Sequence, residues 1–188
     1  MALSKEQIAR VKTEVPRWVE ILKRFKVPDY IIPYMISQSI NETGWWGNTS
    51  YKLDRNPGGI TWSPKYIQFA AQRPGTSKGT ARGRGEGGNY VHYDSWDNAA
   101  KDWIRVLNID KGLGKPFNAP DINGYVARLI KNGYMADSQG YLNNMKGILK
   151  LMSPHIDIAT LIKKKTRSSS PSFWDIINRG LFAVTKAN

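Results

Sequence analysis

The sequence predicts a mainly α fold, with a helical lobe, a small β-hairpin lobe and a cleft between them. Three observations lead there. Apolar residues recur at spacings of three and four from Ile8 to Thr43 and again from Trp96 to Ile162, which marks amphipathic helices. Between Thr49 and Asn89 that period disappears, and short alternating runs broken by Gly and Pro replace it. At the seam, Ser37-Gln-Ser-Ile-Asn-Glu-Thr-Gly-Trp-Trp-Gly47 sets Glu42 near a helix end, beside two indoles.

Ser4-Lys-Glu-Gln7 reads as a capping box opening the first helix. Its inner face is Ile8, Val11, Val15, Trp18, Leu22 and Phe25, and Pro16 is expected to kink or divide it. Asp29 is the expected cap of the second helix, with Pro33 in the first turn and Gly44 as the stop. That helix is apolar or small on most sides, so it should be central. Asn56-Pro-Gly-Gly59 is a turn, and Ile60–Trp62 and Tyr66–Phe69 are strand candidates. The Gly-rich, basic run 73–88 is expected to be a mobile hairpin tip or flap, with Asn89–Tyr93 as the returning strand. Asp94 or Ser95 caps a helix burying Trp96, Ala99, Ala100, Trp103 and Leu107. After a loop over 111–120, Asp121 caps a helix that Gly133 ends. Ser138 caps the next helix, whose inward residues are Tyr141, Leu142, Met145, Ile148, Leu149 and Met152. Ser153-Pro154 stops it, and Ile156–Ile162 forms a further short helix.

The expected organisation is one domain over 1–162, with its β-lobe at about 56–93, followed by a basic, Ser-rich linker and a short amphipathic helix over 163–188. That last segment could dock on a phage particle or an anionic membrane, or fold back on the domain. The 28 Lys and Arg against 15 Asp and Glu give a net charge of +13, which favours polyanionic partners. Nucleic acid, anionic wall polymer and anionic membrane all fit that charge. No helix-turn-helix, zinc finger or RNA-binding signature is present, so nucleic acid is disfavoured. There is no Cys and there are only two His, so neither a disulfide scaffold nor a metal site is expected, and no cofactor is implied. The first ten residues show no apolar h-region. Any extracellular substrate is therefore expected to be reached by release, by injection or as part of a particle.

Glu42 is the candidate catalytic residue. Indole rings desolvate a neighbouring carboxyl, and a helix C-terminus disfavours its anion. Both effects favour the protonated form that a general acid needs.

The run Gln38-Ser-Ile-Asn-Glu42-Thr-Gly-Trp-Trp-Gly47 resembles the catalytic helix end of glucosaminidase-type peptidoglycan hydrolases, glycoside hydrolase family 73, which includes flagellar-rod muramidases and autolysins. Asn56-Pro-Gly-Gly-Ile-Thr-Trp62, Tyr93-Asp94-Ser95 and Gly133-Tyr-Met-Ala-Asp-Ser-Gln-Gly-Tyr141 resemble three further segments of that family, in the same order. The resemblance implies a lysozyme-like fold and cleavage of the peptidoglycan glycan, usually after N-acetylglucosamine. It implies Glu42 as the acid and Tyr134 as a tyrosine that positions substrate beside it. It also implies a second carboxylate on the β-hairpin. Glu86 is the only acidic residue between Asp54 and Asp94 and takes that role, with Asp54 as the alternative. Trp45, Trp46 and Trp62 are candidates for stacking on sugar faces, and Tyr93 for contacting substrate.

The partner so implied is the peptidoglycan glycan strand, and the setting a phage lysin or virion-associated wall hydrolase. Two other readings stay open. One is a structural or docking subunit of a phage particle that retains a degenerate lysozyme fold, and the other is a basic nucleic-acid-binding module.

Overall fold

The computed structural model describes residues 2–63, 73–135 and 139–164. Helix α1 (Lys5–Arg24) opens with the expected capping box: the Ser4 N–H donates to Gln7 Oε1 (2.8 Å), and the Gln7 N–H donates to Ser4 Oγ (3.2 Å). Pro16 does not divide it. Val11, Val15, Trp18, Val19, Ile21 and Leu22 are buried on both sides of the proline. At roughly 1.5–3 kcal/mol for each large buried side chain, that face outweighs a penalty of about 3 kcal/mol for an internal proline.

Helix α2 (Ile32–Thr43) is central: Ile32, Met35, Ile36, Ser37, Gln38, Ser39, Ile40 and Thr43 are all buried. Its cap position is Ile31, without a side-chain bond, rather than Asp29. The proline at the helix start presets the backbone dihedral and removes one donor that would otherwise need a cap. Gly44 ends α2 in the left-handed region, as expected. Trp45 and Trp46 then continue in it, at φ +60° and +56°. Bulky residues avoid that region, and each such position costs about 1–3 kcal/mol. The left-handed run turns Trp46 back beneath α2. There its backbone N–H donates to Thr43 Oγ1 (3.0 Å) and its indole N–H to Ser39 Oγ (2.9 Å).

A short helix, α3 (Thr49–Asp54), follows where the period seemed lost. Six residues are too few to show a repeat, but Asn48 caps it by accepting from the Tyr51 N–H at 2.9 Å. The sheet has strand order β1-β3-β2, with β1 Thr61–Trp62, β2 Thr76–Ala81 and β3 Asn89–Tyr93, all antiparallel. Residues 73–88 are therefore not one flap: most of β2 pairs with β3, and only 82–88 form the tip. The register slips between Lys78 and Ala81. There Gly79 passes so close to Asp54 that a Cβ would lie 2.6 Å from its Oδ1. Asp54 holds the slip by accepting from the Thr80 N–H (2.9 Å) and hydroxyl (2.5 Å). The strand candidate at 66–69, the cap at Ser138, and the linker and helix beyond residue 164 lie outside the described residues.

Helix α4 (Trp96–Leu107) is capped by Ser95, and α5 (Ile122–Lys131) by Asp121. A single 3₁₀ turn, Pro116–Asn118, interrupts the connecting loop. Gly133, at φ +75°, follows α5 as expected. Helix α6 (Gln139–Met152) packs on α2, and α7 (Ile158–Lys163) packs on α1. Lys23 ties that last pair, donating from Nζ to the carbonyls of Ile162 and Lys164. The core is continuous and rich in large aromatics, with Trp18, Trp46, Trp103, Tyr93 and Tyr125 fully buried.

Trp46 thus belongs to the fold. Trp46→Ala is expected to cost about 3–5 kcal/mol in urea unfolding. A loss under ~1 kcal/mol would place the indole outside the core.

Candidate active site

Between the lobes lies a cleft of about 640 Å³, lined on the helical side by Asn41, Glu42, Tyr134 and Tyr141 and on the β side by Gly58–Thr61 and Arg82. Glu42 comes from the last turn of α2, and Tyr141 from the first turn of α6, the helix packed on α2. The Tyr141 hydroxyl donates to Glu42 Oε1 at 2.7 Å. Burial raises the Glu42 pKa above the usual carboxylate range. The Tyr141 hydrogen bond pulls the other way and is the smaller effect. Burial also pushes the Tyr141 phenol far up, and the neighbouring Glu42 charge adds to this. Tyr141 therefore stays a hydrogen-bond donor at any ordinary pH.

The opposite wall is a backbone loop, and Asn56 holds it. Its side chain is completely buried. Nδ2 donates to the carbonyls of Ile60 (2.7 Å) and Val91 (3.1 Å), while Oδ1 accepts from the Ile60 N–H (2.9 Å). The loop so fastened runs as Pro57-Gly58-Gly59. A Cβ on Gly58 would lie 2.5 Å from the Trp103 indole nitrogen and 2.9 Å from the Tyr134 hydroxyl. Gly59 is at φ +60°, and a Cβ there would lie 3.2 Å from Glu42 Oε2. Glycine at both positions lets the backbone approach the carboxyl.

The structure brings together only part of the expected site. Glu42 and Tyr134 share the cleft. The Tyr134 hydroxyl, however, is committed to the Gly58 carbonyl at 2.6 Å, so Tyr134 braces the β-side wall, and Tyr141 supplies the bond to the acid. Trp46, 1% exposed, is a core residue with no face for a sugar. Tyr93 is also fully buried and gives its hydroxyl to Asp102 at 2.8 Å, so it cannot touch a substrate in this conformation. Trp45 and Trp62 are half-buried against the core and do not line the cleft.

Glu86 sits at the hairpin tip, 52% exposed, with Oε2 2.7 Å from Arg82 Nη2. Arg82, not Glu86, reaches the cleft wall. Asp54, the alternative, is buried and occupied by Thr80 and by His92 Nδ1 at 3.3 Å. It anchors β2 and β3 to α3. Among the described residues no group of three His, Asp or Glu side chains could hold a metal ion.

Sequence reasoning missed Tyr141 as the partner of Glu42, although it placed that residue on the inward face of its helix. It also missed Arg82. The available signal was position: Arg82 begins the tip directly after the paired strand.

Two outcomes follow from this geometry. The Tyr141 bond favours the Glu42 anion, so Tyr141→Phe should move the Glu42 titration midpoint to higher pH, as read by carbon-13 NMR of its carboxyl. An unchanged or lower midpoint would remove Tyr141 from the site. Asp54→Ala should cost about 1.5–3 kcal/mol of stability, the worth of hydrogen bonds to a charged group, in urea unfolding. Loss of activity at full stability would instead return Asp54 to the chemistry.

No family model matches the chain, and no curated protein matches it in sequence. In structure it is similar to the catalytic domain of the autolysin Auto from Listeria monocytogenes. The TM-score is 0.51 at 16% identity, over 87% of this chain and 89% of that one. The likeness establishes the architecture: this chain has a mainly helical, lysozyme-like α+β fold, shared with that catalytic domain.

Proposed function

We propose that the protein is a glycoside hydrolase that cleaves the β-1,4 glycan of peptidoglycan, with Glu42 as the general acid. The observation that carries this reading is the buried Glu42 carboxyl, its pKa raised, at the wall of a cleft of about 640 Å³. A carboxyl whose pKa is raised keeps its proton to higher pH and can deliver it to a glycosidic oxygen. The fold shared with an autolysin catalytic domain supports the substrate class. The four sequence segments support N-acetylglucosaminidase over muramidase specificity.

As the glycosidic bond breaks, Glu42 protonates the leaving oxygen and positive charge develops on the other sugar. Two groups could meet that charge: a carboxylate that activates water on the far face, or the substrate's own N-acetyl oxygen. Glu86 is our candidate for the first route, which requires the hairpin tip to move toward Glu42 and the Arg82 pair to open. Tyr141 orients the acid and takes no part in proton transfer, because its phenol does not ionise. Trp45 and Trp62, each partly at the surface, are proposed as outer sugar contacts. The +13 charge would hold the enzyme on acidic wall polymer, and added salt would weaken that hold.

Glu42→Gln should abolish release of reducing ends from purified peptidoglycan while the protein stays folded. Wild-type activity should fall as pH rises through the raised Glu42 pKa, because the acid form is lost. A fully active Glu42→Gln protein would falsify this reading.

A further inference from the structure

Among the described residues lining the cleft, Glu42 and Arg82 carry the only carboxyl and the only guanidinium or ammonium group. Burial disfavours the Glu42 anion, whereas the Arg82 guanidinium is always charged, so the described lining leans positive. A neutral amino-sugar chain gives a guanidinium nothing to pair with. Peptidoglycan glycan differs from such a chain at every second sugar, where N-acetylmuramic acid bears a lactyl carboxyl, either free or extended by a peptide that has carboxylates of its own.

Arg82 is incompletely used. Its Nη2 meets Glu86 Oε2 at 2.7 Å, and its guanidinium carbon lies 6.0 Å from the Tyr90 ring centroid. Its Nε–H is buried without an acceptor, and a desolvated donor left unpaired is unfavourable. Its present partner is easily given up. Glu86 is 52% exposed and Arg82 29% exposed, and solvent-screened ion pairs of this kind contribute little. A carboxylate arriving in the cleft could take two parallel bonds from the guanidinium fork. It would replace one bond to a solvated glutamate and give the orphaned donor a partner.

We propose that Arg82 is the specificity residue of the cleft, recognising a carboxylate carried on the glycan in exchange for Glu86. This rests on the reading of the cleft as a peptidoglycan glycan site. Arg82 lies on the β-lobe wall and Glu42 on the helical wall, so the bound carboxylate would fix which sugar faces the acid. Its release of Glu86 would also leave that side chain unpaired at the moment substrate is present.

The test is calorimetric binding to the full chain carrying Glu42→Gln, so that no hydrolysis intervenes. Three tetrasaccharides are compared: neutral chitotetraose, the alternating GlcNAc–MurNAc form with free lactyl carboxyls, and the same form bearing stem peptides. With Arg82 intact, at least one carboxylated ligand should bind about tenfold tighter than the neutral one, or ~1.4 kcal/mol. Preference for the peptide-free form assigns the lactyl carboxyl, and preference confined to the peptide form assigns the stem. Arg82→Met should bring the ratio to within about twofold. Glu86→Gln, which removes the competitor, should raise it. A tenfold preference that survives Arg82→Met overturns the proposal, as does a ratio lowered by Glu86→Gln or equal binding of all three glycans by the Arg82 protein. Failure of every glycan to bind this protein, together with failure of the wild-type chain to cleave any of them, overturns the hydrolase reading itself, and this inference with it.

Discussion

The amide of Asn56 is the constraint on which the rest of the site depends. Three hydrogen bonds from one buried side chain close the 56–60 loop on itself and stitch it to β3. No apolar residue could replace it without leaving buried backbone groups unpaired. The loop it closes is the wall that faces Glu42. Gly58 fits between Trp103 and Tyr134, and its carbonyl takes the Tyr134 hydroxyl. The two walls of the cleft are thus held in register largely by backbone geometry. Asp54 performs a parallel task one layer out, clamping the irregular part of β2 to α3.

The buried carboxyl makes the stability of the fold depend on pH. Glu42 has a folded-state pKa above its unfolded value, so the native chain holds that proton more tightly than the unfolded chain does. The associated stability is present below the unfolded pKa and is lost as pH rises through the folded one. The burial that raises the Glu42 pKa therefore makes the protein less stable as pH rises to where the anion forms. Surrounding packing absorbs this, as it absorbs the left-handed backbone at Trp45 and Trp46. Both unfavourable features sit at the C-terminal end of α2, where the chain leaves the helical lobe.

Much of the architecture was legible in the sequence because it rests on local rules. Ser4, Ser95 and Asp121 cap helices as their positions suggest, and Gly44 and Gly133 end them. Glu42 was legible for a similar reason: an acidic residue at the end of an apolar helix is conspicuous. What failed was non-local. Trp46 faces the core because three successive left-handed residues turn it there, and nothing short of the backbone path reveals that. Tyr93 looks like any strand tyrosine until Asp102 is found beneath it. Place in the sequence alone ranks Glu86 ahead of Asp54, and only burial shows how they differ, Asp54 being enclosed and Glu86 half-exposed. Pro16 misled because a local penalty was judged without the apolar face on either side of it.

The bond between Tyr141 and Glu42 spans 99 residues of chain. During synthesis, Glu42 leaves the ribosome long before its partner does, and before the helix that covers it. A nascent chain that ends short of α6 lacks Tyr141 and the cleft wall it supplies. The environment of Glu42 thus waits on contacts made late in the chain, so the order of translation itself delays its completion.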